Sequence, residues 1–407
     1  MVRSAKILVI TNGHVCRNPR VVKEASTLSQ AGFDVCVLRV RNHLPSEAED
    51  RRILSRASFR SESVDLLSGH GPAAFGRRMA QRMWRQAAAR LRFPTIHALG
   101  PALTLLAYAR ARPADLTIVH NEIAHWAGLR LIADGRRVAA DLEDWHSEDL
   151  MPEHRVARPL GLLGRIERQL LHSCTYTTTT SHALADALHR RYGGAKPHVI
   201  TNSFPLQSNP RVRHLDDPAP AVFFWFSQTL GPGRGLESFL PAWSRLRTPG
   251  RLILLGEDRA SFLPQLMALA PPELHSKIEC RPLLPSEDLL NEIAHHDVGL
   301  ALEDRSILSR DLTITNKILQ YLNAGLAIAA TDTSGQREVL AHSPQAGVIL
   351  PLEDPAAAGR LLDDLVADRE TLIARQTSAR RLAEDVYCWE REAPRLLALV
   401  NTVLQRR

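Results

Sequence analysis

A chain of 407 residues exceeds the size at which single hydrophobic cores stop growing, so two domains are expected. With 44% hydrophobic and 23% charged residues it has the composition of a soluble globular protein, which excludes disordered and collagen-like classes. Its 51 Lys+Arg against 44 Asp+Glu give a net charge of +7, and the excess is local, since residues 66–114 hold eight arginines and no acidic residue.

The opening "MVRSAKILVITNG" passes from a polar lead straight into a strand-like run without a small-residue cleavage site, which predicts no signal peptide and a cytoplasmic location. Residues 6–13 read as a buried strand, 18–32 as a helix with proline in its first turn and glycine after its end, and 33–40 as a second strand. The arginine-rich segment 75–93 can form a helix with Met79, Met83 and Trp84 or Ala87 on an apolar side. Such a helix is predicted to lie on an anionic membrane surface, peripherally at the inner face of the plasma membrane. A core-packed helix with a solvated arginine face is the competing reading. Nucleic acid is not expected as a partner, because neither a recognition motif nor an aromatic platform accompanies the charge. The longest apolar run, near Leu99–Ala109, is about half of the roughly 20 residues a membrane span requires.

Apolar runs at 116–120, 137–142, 174–181 and 198–202 alternate with helical patterns, which implies a parallel, doubly wound sheet. Residues 202–221 form a polar stretch with four prolines and read as an interdomain linker. From Val222 the strand–helix alternation restarts. The predicted domains are 1–205 and 206–385, with a C-terminal helix over 386–407 packing back on the first. Two such domains imply a central cleft lined by strand C-termini, where ligands gather in open α/β sheets. Five cysteines, odd in number and never in a CxxC pair, predict neither disulfides nor a zinc site.

Several stretches carry chemistry. "TNGHVCR" (11–17) leaves the first strand at its C-terminal end, so Asn12, Gly13, His14 and Arg17, with Thr11, are expected to line the cleft. In "NPRVV" Asn18 can cap the helix and Pro19 take its first position, leaving Arg20 either functional or solvated. "SQTLGPGRGLESF" (227–239) follows a strand and opens a helix, and Gly231, Gly233 and Gly235 allow backbone amides close to an anion. "ITNKILQYLNAG" (314–325) reads as a helix from Asn316, capped by Thr315 or Thr313 and stopped by Gly325. Lys317 lies in its first turn, where the macrodipole favours an anion, so a bound anion is expected there. Glu303 and Gly256 end strands facing the cleft, and Gly256 would admit a nucleotide closely. His120 also ends a strand, as a candidate for hydrogen-bonding a sugar hydroxyl or moving a proton. Asp141, Glu143, Asp144 and His146 form a polar cluster after another strand, part of five acids in nine residues that in isolation suggest a metal.

These motifs resemble the bacterial glycosyltransferases of family 4, and the similarity runs from about Lys6 to Leu352. The resemblance implies the GT-B fold, with two Rossmann-like doubly wound α/β domains facing a central cleft, the first taking an acceptor and the second a nucleotide-sugar donor. Arg20 then lies above the acceptor site, and His120 near the transferred sugar. Arg234, the basic residue before "GL", touches the donor diphosphate. Gln320 stands where most members carry a glutamate on the ribose, and Leu312 stands eight places before it, so the usual pair of glutamates separated by seven residues is absent. Ser227 and Gln228 replace a frequent arginine, whose charge Lys317 could supply; Arg310 and Asp311 could take over the sugar-facing contact. Glu143 replaces an expected histidine. Since GT-B enzymes generally need no bound metal, the 141–146 cluster is assigned to acceptor hydroxyls and no metal or cofactor is expected.

The resulting expectation is a retaining glycosyltransferase in polysaccharide biosynthesis, acting on a glycan or lipid-linked acceptor. His120, Arg234 and Lys317 are the catalytic candidates. Donor binding falls to Gly231, Gly233, Arg234, Gly256, Glu303, Thr315, Asn316, Lys317 and Gln320. Acceptor binding falls to Asn12, Gly13, His14, Arg17, Arg20, Asp141, Glu143 and His146. A GT-B sugar-nucleotide epimerase and a non-catalytic sugar-nucleotide-binding protein are the alternatives.

Overall fold

The computed structural model describes residues 4–67, 75–76, 79–80, 82–84, 86–87, 95–151, 155, 158–208, 219–258 and 261–405, with the side chains of 286 and 287 outside the description. Chain contacts divide it into two compact units, 1–200 with 393–407, and 201–392.

In the first unit seven parallel strands, β1 (Lys6–Thr11), β2 (Asp34–Arg41), β3 (Arg60–Asp65), β4 (Leu116–His120), β5 (Val138–Leu142), β6 (Thr177–Thr179) and β7 (His198–Val199), lie in the order β3-β2-β1-β4-β5-β6-β7. Central strands such as Ile7–Ile10 and Leu116–Val119 are buried throughout because helices cover both faces of a parallel sheet. Strand β3, "RSESVD", was not expected: it has no apolar run and forms at the sheet edge, where its register with β2 supplies the ladder. The helix Pro19–Gln30 begins as anticipated, with the Asn18 side chain accepting from the Val21 amide and proline in the first turn. Register aligns Thr11, His120 and Asp141 on neighbouring strands at one end of the sheet.

The second unit has six parallel strands, β8 (Ala221–Leu230), β9 (Gly250–Asp258), β10 (Ile278–Arg281), β11 (Val298–Ala301), β12 (Ala327–Thr331) and β13 (Gly347–Leu350), in the order β10-β9-β8-β11-β12-β13. Phe223, Trp225, Leu252, Leu254 and Leu300 pack on one side of this sheet, and Phe224, Ile253, Ile318, Tyr321 and Ile328 on the other. A bulge interrupts β8 between Phe226 and Thr229. Gly256 lies under it: an added Cβ would sit 2.8 Å from the Ser227 carbonyl. That glycine therefore admits the bulged neighbouring strand.

The first part of the proline-rich stretch is not a free linker. Asn323 donates to the Pro205 carbonyl and accepts from the Gln207 amide, and Arg380 donates to the Gln207 carbonyl, so residues 201–208 are bound into the second unit. No helix among the described residues is long and apolar enough to cross a membrane. Of the basic segment, Arg77, Arg78, Arg85, Arg90 and Arg92 lie outside the described residues.

Candidate functional site

In the first unit, side chains at the C-terminal ends of β1, β4 and β5 form a closed layer and an open one. The closed layer centres on Asp141. Its Oδ2 accepts from Arg20 Nε at 2.8 Å, and its Oδ1 from Arg20 Nη2 at 2.7 Å and from the Thr178 hydroxyl at 2.6 Å. Arg20 Nη1 donates to the Ile200 carbonyl at 2.7 Å. Burial alone would raise the Asp141 carboxyl, but Arg20 overcomes this and holds it well below the usual carboxylate range. Arg20 and Asp141 are 3% and 2% exposed. They are therefore a buried structural pair, which corrects their assignment to an acceptor.

His120 belongs to the same layer. Its Nε2 is 2.6 Å from Glu24 Oε2 and its Nδ1 3.2 Å from Asp141 Oδ2, with 1% of the residue exposed. Burial would lower its pKa, but Glu24 and then Asp141 outweigh that and raise it to about 10. An imidazolium held between two carboxylates and shut from solvent does not shuttle a proton near neutrality, so the catalytic assignment of His120 is corrected.

His14 is likewise structural. Its Nδ1 is 2.7 Å from Asp50 Oδ2, which fixes that nitrogen as the N–H, and its Nε2 accepts from the amides of Asn42 and His43. His14, Glu47 and Asp50 are close enough together to suggest a cation, yet Arg39 Nη1 lies 2.6 Å from the same Asp50 oxygen and fills that role. Arg17 is exposed and its Nε donates to the Ser46 hydroxyl at 3.1 Å.

The open layer holds groups that the sequence motifs did not single out. Asn121 adopts φ 69° and ψ 170°, a backbone region that nearly all residues but glycine avoid. Its Oδ1 accepts from the Thr11 hydroxyl at 3.0 Å. Next to it Glu122 accepts from Asn12 Nδ2 at 2.9 Å and from Arg158, with His146 Nδ1 at 4.0 Å. Burial would raise the Glu122 carboxyl, but His146 and Arg158 bring it down to about 2. Glu143 and Asp144 are partly exposed at the end of β5. Burial and then Asp149 and Glu143 push Asp144 up to about 8, and burial likewise raises Glu143. Asn12, Gly13, Glu143, Asp144 and His146 thus stay among the candidates, joined by Glu122. The signal for Glu122 was available in "IVHNE", directly after a strand.

In the second unit the loop 231–235 connects β8 to the helix Leu236–Trp243. Gly233 and Gly235 have φ 71° and 78°, and a Cβ on Gly235 would meet Leu302 Cβ at 3.0 Å and the Glu303 nitrogen at 3.5 Å. The glycine lets the loop abut the end of β11. The Gly233 amide already donates to Glu237 Oε1 at 2.9 Å, so it is not open to an anion and that assignment is corrected. Arg234 is partly exposed in this loop, as are Gly231 and Gly235.

Lys317, 8% exposed, donates to Glu303, and its Nζ lies 5.9 Å from the centre of the Trp225 ring. Glu303 thus supplies the counterion of the Lys317 ammonium. This corrects the expectation of two open donor contacts, since the charge of each is matched by the other. Thr315 occupies the N-cap position of the helix Asn316–Ala324, but its side chain makes no capping bond and its buried Oγ1 has no partner among the described residues. Asn316 accepts from Asn202 Nδ2 at 2.8 Å, whereas the amide of Gln320 has no partner among the described residues. Gly325 ends the helix at φ 74°, as expected. Beyond it the N-terminus of the helix Ser334–His342 is taken by Asp311, which accepts from the Ser334 amide and hydroxyl.

Residues 221–368 match the family described as Glycosyl transferases group 1. No curated protein matches the chain. Among solved structures it is similar to a sucrose-phosphate synthase from Thermosynechococcus elongatus, with 13% identity, TM-score 0.71 and all of both chains covered. It is also similar to HepE of Anabaena in complex with UDP and glucose, with 15% identity, TM-score 0.69 and 98% and 100% of the two chains covered. A putative UDP-N-acetylglucosamine 2-epimerase from Listeria monocytogenes aligns with 12% identity and TM-score 0.60 over 99% and 97%. With its two parallel Rossmann-like sheets and these structural neighbours, the chain has the GT-B fold.

Proposed function

We propose that this chain is a family 4 glycosyltransferase that moves a sugar from a nucleoside diphosphate donor to a lipid-linked or surface-polysaccharide acceptor with retention of anomeric configuration. The observation that carries the reading is that the segment matching the glycosyltransferase family contains both the 231–235 loop with Arg234 and the helix from Asn316. As the glycosidic bond breaks, negative charge grows on the departing diphosphate. Arg234 and the amides of residues 315–317 would stabilise that charge more in the transition state than in the ground state. Gln320, whose side-chain amide has no partner among the described residues, would meet a ribose hydroxyl. In the first unit Asn12, Gly13, Glu122, Glu143, Asp144 and His146 offer hydrogen-bonding groups for acceptor hydroxyls.

Because HepE binds UDP and glucose, UDP-glucose is the first donor to try, alongside GDP- and ADP-sugars and lipid-linked acceptors. The reading requires release of nucleoside diphosphate together with a new glycoside whose anomeric proton signals show retention. Similarity to the Listeria epimerase favours a second reading, in which the donor sugar is epimerised. A labelled donor that returns as an epimerised nucleotide, with no glycoside formed, establishes that second reading instead. A membrane role for 75–93 is supported by the exposed Phe75, Met79, Met83 and Trp84, three of them at four-residue spacing. Flotation with anionic vesicles tests it: neutralising the arginines of 77–92 should abolish flotation.

A further inference from the structure

The charges around the 231–235 loop do not by themselves favour an anion. Glu237 is bound to the Gly233 amide, and the backbone of Glu303 lies against Gly235, its carboxylate bound by Lys317. Lys317 offsets Glu303, which leaves Arg234 to offset Glu237, and a pyrophosphate arriving there meets no net positive charge from these four groups. A further cation is needed, and the fold delivers one from 77 residues away. Arg310, in the short helix Leu308–Leu312, donates from Nη1 to the Gly233 carbonyl at 2.9 Å. Its backbone is held there by Asp311, which accepts from Ser334, and by the Thr313 amide bonding to the Ser309 carbonyl. A guanidinium has five N–H donors, and the Nε and Nη2 groups of Arg310 have no partner among the described residues. Arg310 is partly exposed, so those donors are open to a ligand.

We propose that Arg310 is a donor-binding residue that grips the pyrophosphate of the nucleotide at the 231–235 loop, supplying the second full charge beside Arg234. The inference rests on the sugar-nucleotide reading and deepens it. One face of the guanidinium braces the loop through the Gly233 carbonyl while its remaining donors form charge-assisted bonds to phosphate oxygens. Lys317 contributes less, since it arrives already paired.

Calorimetric titration of the full chain with UDP, GDP and ADP, and with the nucleoside of whichever binds tightest, tests this on wild type, Arg310→Gln, Arg310→Lys and Lys317→Gln. Gln keeps an N–H for the Gly233 carbonyl but removes the charge. Arg310→Gln should weaken the diphosphate about tenfold or more, the value of a charge-assisted hydrogen bond, and flatten the salt dependence of its affinity. The nucleoside should bind as before, Arg310→Lys should recover part of the loss, and Lys317→Gln should lose less than Arg310→Gln. Diphosphate binding by Arg310→Gln within about twofold of wild type, with the same salt dependence, overturns the inference and leaves the function standing. Equal losses for nucleoside and diphosphate make Arg310 a loop brace only and overturn it too. If wild type binds none of the three diphosphates, the functional reading fails and this inference with it.

Discussion

By residue type and strand-end position, the polar groups closing the first sheet match those closing the other, but the structure makes them opposites. Around Asp141 a guanidinium and a threonine hydroxyl bond the carboxylate, and an imidazole lies against it, out of reach of solvent. Around the 231–235 loop Arg234 and Arg310 stay partly exposed, and Arg310 keeps donors without partners among the described residues. Position at a strand C-terminus is therefore not enough to identify a binding group. What separates the two is unused hydrogen-bonding capacity. The distinction is local, since Glu303 and Lys317, in the same unit as the open loop, are as closed as the Asp141 group.

The largest effect that tests this contrast comes from opening the closed cluster. Asp141→Ala leaves the Arg20 guanidinium buried without its carboxylate, and breaking such a pair costs about 3–5 kcal/mol. Denaturant unfolding should show that loss in the transition of the first unit, while nucleoside diphosphate affinity stays unchanged. A stable variant with altered ligand binding would reverse the contrast, placing Asp141 at a ligand. In the second unit the effects exchange places. Arg234→Gln should weaken nucleoside diphosphate binding by about 10- to 100-fold, from the worth of hydrogen bonds to a charged group, and shift the melting temperature little. A large drop in melting temperature with unchanged affinity would make Arg234 a structural residue like Arg20.

The same contrast explains which features were legible in the sequence. Period and punctuation sufficed for the parallel α/β architecture, because strands such as "KILVIT" and "LTIVH" are apolar on both faces and their helices start and stop at Asn18, Gly32 and Gly325. Strand β3 escaped because an edge strand takes its ladder from a neighbour and needs no apolar run of its own. Among site residues, charge type and strand-end position were legible, but pairing was not. Arg20 meets Asp141 across 121 positions and Arg310 meets Gly233 across 77, and no local pattern encodes either. Lys317 was the instructive case: its ammonium does meet an anion, and the chain itself supplies it through Glu303.

A pH titration sharpens the picture of the closed cluster further. The folded pKa of His120, near 10, lies above the ordinary histidine value of 6.5, so its protonation stabilises the fold fully below 6.5 and that contribution disappears as pH rises through 10. Wild type should therefore lose unfolding free energy between pH 7 and 10 more steeply than His120→Gln, because the glutamine cannot titrate. Lysines, tyrosines and cysteines ionise over part of the same range in both proteins, so the difference between the two curves isolates His120. Parallel curves would mean that the imidazole is neutral in the fold, and the ion pairs with Glu24 and Asp141 would then not exist.

The smallest effect comes from the open layer of the first unit. Gly13 follows β1, its φ lies outside the left-handed region, and a Cβ added there would have no heavy atom within 4 Å. Gly13→Ala should change stability by less than about 0.5 kcal/mol, as a surface substitution that meets no neighbour does. A methyl group in that space nevertheless removes room that an acceptor could use. Once an acceptor is found, its KM should rise several-fold in Gly13→Ala while the donor KM and the melting temperature stay put. If the acceptor KM also stays put, the loop after β1 is only a connection, and the acceptor contacts narrow to Glu122, Glu143, Asp144 and His146 at the ends of β4 and β5.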